Sequence, residues 1–241
     1  MNNEEFFNKL ADKAGDWMGS GRYFTLKTDC YKSIFHDIIN KIPIDDRDIV
    51  LDLGGGTGGI TKYIAERCKH VILADFARTA IKKAEERLKD YQNVSFLLLD
   101  INDNFPSFEF KFDKIICYSV IHNLNNHEEF GKLIAKLLKI TEPQGLIFFG
   151  DIPLSEKYMA NLETRKFFLM DSMYIIRKNI SNFIYFIKGI NGREVKGISY
   201  TKDIIKNILS SFANIDYIFF EQDKRLPFAN SREDLIIRKI L

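Results

Sequence analysis

The stretch VLDLGGGTGGITKYIAE, residues 50–66, constrains what this chain can fold into more than any other. Five glycines fall within residues 54–59. The apolar run Ile49–Leu53 leads into them and an amphipathic run, Ile60–Cys68, leads out. A strand that turns through glycine into a helix is the ligand-binding corner of an open α/β sheet. Glycine there admits positive φ and lets the backbone approach a ligand closely. The following helix offers its first N–H groups and its positive dipole end to an anionic group. Glycine at this density costs conformational order, so a tight turn without a ligand explains it poorly.

The rest of the chain repeats the pattern. Val71–Ala74, Val94–Leu99, Lys114–Tyr118 and Leu146–Phe149 are short apolar runs. Between them lie the helical patterns Thr79–Asp90 and Glu128–Ile140. Strands covered on both faces read as continuous apolar runs, and strand–helix alternation gives right-handed βαβ units. At the tail, Thr201 can cap a helix through Phe212, and Ile215–Phe220 and Leu235–Ile240 follow with no helix between them. Such a pair runs antiparallel. The expectation is an α/β, doubly wound, mostly parallel seven-stranded sheet ending in an antiparallel strand.

The expected organisation is a single domain. Residues 1–44 form a helical cap, with helices over 2–14 and 28–41, and 45–151 form the core. An aromatic-rich insert or lid spans 152–198, with a hairpin at Asn191-Gly192. Residues 199–241 add the final helix and strand pair.

Composition narrows the class. A chain of 241 residues can bury a core without disulfide or metal. Cys30, Cys68 and Cys117 have no ligand spacing and read as free thiols of a reducing compartment. The net charge of +2, with acids and bases interspersed, indicates no nucleic-acid-tracking face. The start, MNNEEFFNKL, lacks a secretion signal and no apolar run is long enough for a membrane span, so a cytoplasmic location is expected.

Two fingerprints overlap in the glycine loop. Gly54, Gly56 and Gly59 match G-x-G-x-x-G, the dinucleotide motif. Asp52, Gly54, Gly56 and Gly58 match D-x-G-x-G-x-G. Asp52 distinguishes them, because a pyrophosphate has no use for a carboxylate beside it and an ammonium group has. Asp75 closes the second strand and can take ribose hydroxyls in either reading. Asp100 closes the third.

The ordered set Asp52, Gly54-x-Gly56, Asp75 and Asp100, over residues 45–151, resembles the class I S-adenosylmethionine (SAM)-dependent methyltransferases. FDKIICYSVIHNL resembles that family's fourth-strand segment. The resemblance implies SAM as cofactor and S-adenosylhomocysteine as product. It implies Asp52, Gly54, Gly56, Gly58, Asp75, Phe76, Asp100, Ile101 and Tyr118 as the cofactor site, with Asp100 on the adenine amino group and Ile101 on the ring. No metal is needed.

His122 is the best-placed general base, and a histidine exchanges protons near neutral pH. Holding its own loop is an equal reading of it. Asn123 and Asp151 are candidates to bind the acceptor. Trp17, Arg22 and Tyr23 stand in the segment that closes over the cofactor in related enzymes. The family's base- and glutamine-modifying members carry a proline pair after the fourth strand. Here that place reads Cys117-Tyr118-Ser119-Val120. A small-molecule acceptor methylated on O or N is therefore expected, with a homodimer compatible with the aromatic insert. The alternatives are an NAD-dependent oxidoreductase, a non-catalytic SAM-binding regulator, and an RNA or protein acceptor.

Overall fold

The computed structural model of the chain describes residues 3–13, 30–162, 197–226 and 228–241. Their strands are β1 (Ile49–Leu53), β2 (His70–Asp75), β3 (Val94–Leu98), β4 (Phe112–Tyr118), β5 (Thr141–Pro153), β6 (Ile215–Glu221) and β7 (Arg232–Lys239). Their helices are α1 (Asn3–Lys13), α2 (Cys30–Lys41), α3 (Thr61–Ala65), α4 (Arg78–Arg87), α5 (His127–Ile140), α6 (Ser155–Leu162) and α7 (Lys202–Leu209). A 3-10 turn, Ile121–Asn123, follows β4.

All seven strands join one sheet in the order β3-β2-β1-β4-β5-β7-β6. The first five pair in parallel, and β7 is antiparallel to both β5 and β6. The order reverses between β1 and β4, the switch point where their carboxyl ends open a crevice. Alternation along the central strands feeds two cores. Ile115 and Cys117 of β4 join the helices α5 and α7, whereas Ile116 and Tyr118 join α2 and α3. The same split sends Ile147 and Phe149 of β5 one way and Phe148 the other.

The helices form where local chemistry supports them. In α5, Phe130, Leu133, Ile134 and Leu137 recur at helical spacing and are buried. Asn126 caps it by accepting from the Glu129 N–H at 3.0 Å, and the Glu129 carboxylate accepts from the Asn125 N–H at 2.8 Å. That reciprocal arrangement satisfies two end donors. Thr201 caps α7 as its sequence suggests, accepting from the Ile204 N–H at 3.1 Å.

Several expectations are corrected. β3 is not covered on both faces: it is an edge strand, and Leu98 is 43% exposed. β5 is much longer than its apolar run, because pairing with β7 carries it to Pro153 past a bulge between Phe149 and Ile152. The helices expected over Ile60–Cys68 and Thr79–Asp90 are shorter, Thr61–Ala65 and Arg78–Arg87. The hairpin at Asn191-Gly192, Trp17, Arg22, Tyr23 and most of the insert lie outside the described residues. No helix of the described residues is long and apolar enough to cross a membrane.

Candidate cofactor and acceptor site

The parallel strands end on the same edge of the sheet, so the acids that close them converge. One cavity is lined by Asp52 of β1, Asp75 and Phe76 at the end of β2, and Asp100 and Ile101 after β3. Tyr118, Ser119, Val120 and Asn123 line it from the end of β4 and the turn that follows. Gly54, Gly55 and Gly56 form its floor. Three carboxylates and no lysine, arginine or histidine belong to this lining among the described residues. Such a cavity favours a cationic ligand.

The glycines divide by cause. A Cβ on Gly54 would stand 2.3 Å from Val120, and one on Gly59 would stand 2.6 Å from the Tyr31 ring. Those two are small so that protein can pack against the loop. Gly56 has φ +57 and nothing within 4 Å of where its Cβ would be. It is small for a different reason, since it faces open space at the ligand edge of the sheet. Gly58 has φ +77 and abuts Leu88 and Ala84; it does not line the cavity, so its part is to fit the loop against α4.

The acids are preorganised. Asp52 is buried and its Oδ2 accepts from the Thr61 hydroxyl at 2.6 Å. Asp75 is buried and accepts from the Gly56 N–H at 2.9 Å and the Ala77 N–H at 2.8 Å. The first contact ties the glycine loop to the end of β2. Burial pushes both carboxyls up to about 6; for Asp52 the Thr61 hydroxyl opposes this and the Asp75 charge adds to it. For Asp75 the backbone N–H groups oppose it. Asp100 Oδ1 accepts from the Asn102 N–H at 2.9 Å, which shapes the turn carrying Ile101.

Three contributors escaped sequence reasoning. Phe7 of α1 lines the cavity and meets Phe76 edge-on at 5.4 Å, so the N-terminal cap reaches the site through α1. Tyr31 of α2 also lines it. Lys136 of α5 binds the carbonyls of Ile101, Asn102 and Asp103 at 2.8, 3.0 and 2.7 Å, clamping the turn after β3. None follows from local pattern, because each depends on a helix docking over a distant loop.

On the acceptor side the residues separate. Asn123 lines the cavity and donates from Nδ2 to the Ser119 carbonyl at 3.2 Å. His122, its neighbour, stands outside the lining; its carbonyl accepts from the Ile198 N–H at 2.9 Å, which anchors the turn. Asp151 is also outside the lining, but its Oδ2 accepts from the Ser119 hydroxyl at 2.5 Å. Its N–H donates to Asp234 at 2.9 Å, and its carbonyl accepts from Arg232 at 3.0 Å. Among the described residues no His/Cys/Asp/Glu group is arranged to hold a metal ion.

A family model described as "Methyltransferase domain" matches residues 44–214. Phosphoethanolamine N-methyltransferase 1 of Triticum aestivum is 36% identical over 103 residues, covering 42% of this chain and 21% of that protein. The chain thus spans about a fifth of the length of this curated relative. Among solved structures, the N-methyltransferase NodS of Bradyrhizobium japonicum, in complex with S-adenosylhomocysteine, superposes with a TM-score of 0.60 at 14% identity. That likeness covers 98% of this chain and 99% of NodS. Phosphoethanolamine N-methyltransferase 1 of Haemonchus contortus, with phosphoethanolamine and S-adenosylhomocysteine, gives 0.68 at 14% identity, covering 98% and 48%. At these identities the solved structures speak for the fold.

Proposed function

The chain belongs to the class I SAM-dependent methyltransferases, and on that premise we propose that it methylates an oxygen or nitrogen atom of a small-molecule acceptor. The observation that supports the reading most is the convergence of Asp52, Asp75 and Asp100 on one cavity around the open side of Gly56. These residues fit SAM, which when bound supplies a methyl group already activated by its sulfonium. Asp52 takes the amino end, Asp75 the ribose, and Asp100 with Ile101 the adenine. Phe76 and Phe7 supply the apolar wall beside them. What remains for the protein is to align the acceptor, exclude water and remove a proton.

A small acceptor is supported by the segment after β4, which lacks prolines, and by the cited relatives, whose names give a small amine substrate or an N-methyltransferase activity. Asn123 is assigned to its binding, and Asp151 takes part through the Ser119 hydroxyl that it accepts from. His122, the general base expected from the sequence, lies outside the cavity lining.

The test is a calorimetric titration with S-adenosylhomocysteine, SAM and NAD, repeated on Asp75→Ala. Binding of the first two but not NAD, weakened at least tenfold by the substitution, is expected. NAD binding in their place would overturn the roles of Asp52 and Asp100. Methyl transfer from radiolabelled SAM to a panel of small amines and alcohols then identifies the acceptor class.

A further inference from the structure

We propose that Ser119 and Asp151 form the amine subsite of this enzyme, with Ser119 passing the acceptor's proton to the Asp151 carboxylate. The proposal rests on the methyltransferase reading above and narrows its acceptor to a primary or secondary amine. Three observations carry it.

The first is position. Tyr118 and Gly150 are register partners on β4 and β5, so the residues after them, Ser119 and Asp151, lie side by side at the carboxyl edge of the sheet. Ser119 lines the same cavity as Asp52 and Gly56, whereas Asp151 reaches it only through the Ser119 hydroxyl. The serine proton points at the carboxylate, which leaves the serine oxygen to accept a hydrogen bond from a ligand.

The second is the backbone. Ser119 has φ 64 and Asp151 has φ 63. Both are left-handed, neither is glycine, and each placement costs about 1–3 kcal/mol. Asp151 lies within the bulge of β5, where one extra residue between Phe149 and Ile152 re-aims a side chain. A Cβ on Gly150 would meet the Tyr118 ring at 2.3 Å, so that ring lies directly over the bulge. The Asp151 N–H held by Asp234 and its carbonyl held by Arg232 keep the bulge in place. Two strained residues joined by a hydrogen bond, at the cofactor edge and held by buried Asp234 and half-buried Arg232, form a built arrangement.

The third is charge. With Asp52, Asp75 and Asp100 given to the cofactor, the lining left to the acceptor holds no basic side chain among the described residues. Asn125, also in the lining, donates one amide N–H to Glu129 at 2.9 Å. An ammonium meets no basic group there, finds the Ser119–Asp151 pair as its acceptor, and must lose a proton before it can react. The proton moves from the amine nitrogen to Ser119 Oγ while the serine's own proton moves to Asp151 Oδ2. The nitrogen lone pair then forms the N–C bond as the C–S bond breaks with its electrons to sulfur. Asp151 returns the proton to solvent when product leaves.

Ser119→Gly is the discriminating variant, because glycine accepts φ 64 without strain while losing the hydroxyl. The full chain is assayed with ethanolamine and phosphoethanolamine heading an amine panel, and with catechol and glycerol as hydroxyl probes. Methylation of an amine is expected, with kcat falling at least tenfold in Ser119→Gly and Asp151→Asn. Melting temperature in Ser119→Gly should be unchanged or raised, and S-adenosylhomocysteine affinity within about threefold of wild type. An unchanged kcat in Ser119→Gly, or a loss explained by weaker cofactor binding, overturns the relay. Transfer to hydroxyl probes alone, or to no amine while S-adenosylhomocysteine still binds, overturns the amine subsite and leaves the methyltransferase reading standing. Failure of S-adenosylhomocysteine to bind would overturn both.

Discussion

Asp52 and Asp75 are the residues whose chemistry is most exposed to experiment. Burial raises both carboxyls to about 6, against ordinary values near 3.8. Groups with raised folded values bind protons more readily in the folded chain. Their contribution to stability is therefore greatest in acid and falls as pH rises from about 4 to 6. An ammonium or a ribose hydroxyl donates to the ionised form, so ligand binding pulls the values down again. Affinity for S-adenosylhomocysteine is expected to fall as pH drops below 6 and to level off above 7, with protons released on binding near pH 6. Calorimetry in buffers of different ionisation enthalpy measures both. A flat profile between pH 5 and 7.5 would show that neither acid meets the ligand. Gly54 offers a structural counterpart, since a methyl group there meets Val120 at 2.3 Å and φ is +77. Gly54→Ala is expected to cost about 1–3 kcal/mol of stability, read from urea midpoints. The place of Asp52 beside the glycines was legible because that spacing is local; the pairing of Ser119 was not, because its partner is a residue of another strand.

At the level of elements, caps and clamps decide how firmly the site is held. Thr201→Ala removes the acceptor for the Ile204 N–H and is expected to destabilise α7 by about 1 kcal/mol. Cofactor affinity should be unchanged, since α7 borders no part of the cavity. Lys136→Met is expected to do the reverse. It removes an ammonium that gathers three carbonyls after β3. S-adenosylhomocysteine affinity should fall three- to tenfold with a small change in melting temperature. An unchanged dissociation constant would show that the turn holds its shape without the clamp. The strands were readable from continuous apolar runs where neighbours cover both faces. β3 and β5 departed from that reading because one is an edge and the other is extended by pairing with a strand far along the chain.

For the whole molecule, the C-terminal pair and the N-terminal region are joined by buried charge. Lys41 of α2 sits between Asp37 at 2.6 Å and Asp234 of β7 at 2.7 Å, all three buried. Asp234 also accepts from Gln222 and from the Asp151 N–H, so this cluster adjoins the bulge of β5. Removing one partner of a buried ion group typically costs about 3–5 kcal/mol. Lys41→Met should lower the melting temperature far more than any surface lysine change, as differential scanning calorimetry would show. The sequence by itself determined the α/β class, the parallel sense of the first five strands, the glycine loop and the acids at its strand ends. Those signals are local, carried by period and by spacing along one segment. Only the tertiary structure decided that Phe7, Tyr31 and Lys136 belong to the site, that His122 stands outside the cavity, and that Ser119 and Asp151 are partners. These depend on which elements pack together, and buried contacts between distant segments leave no periodic trace in the sequence.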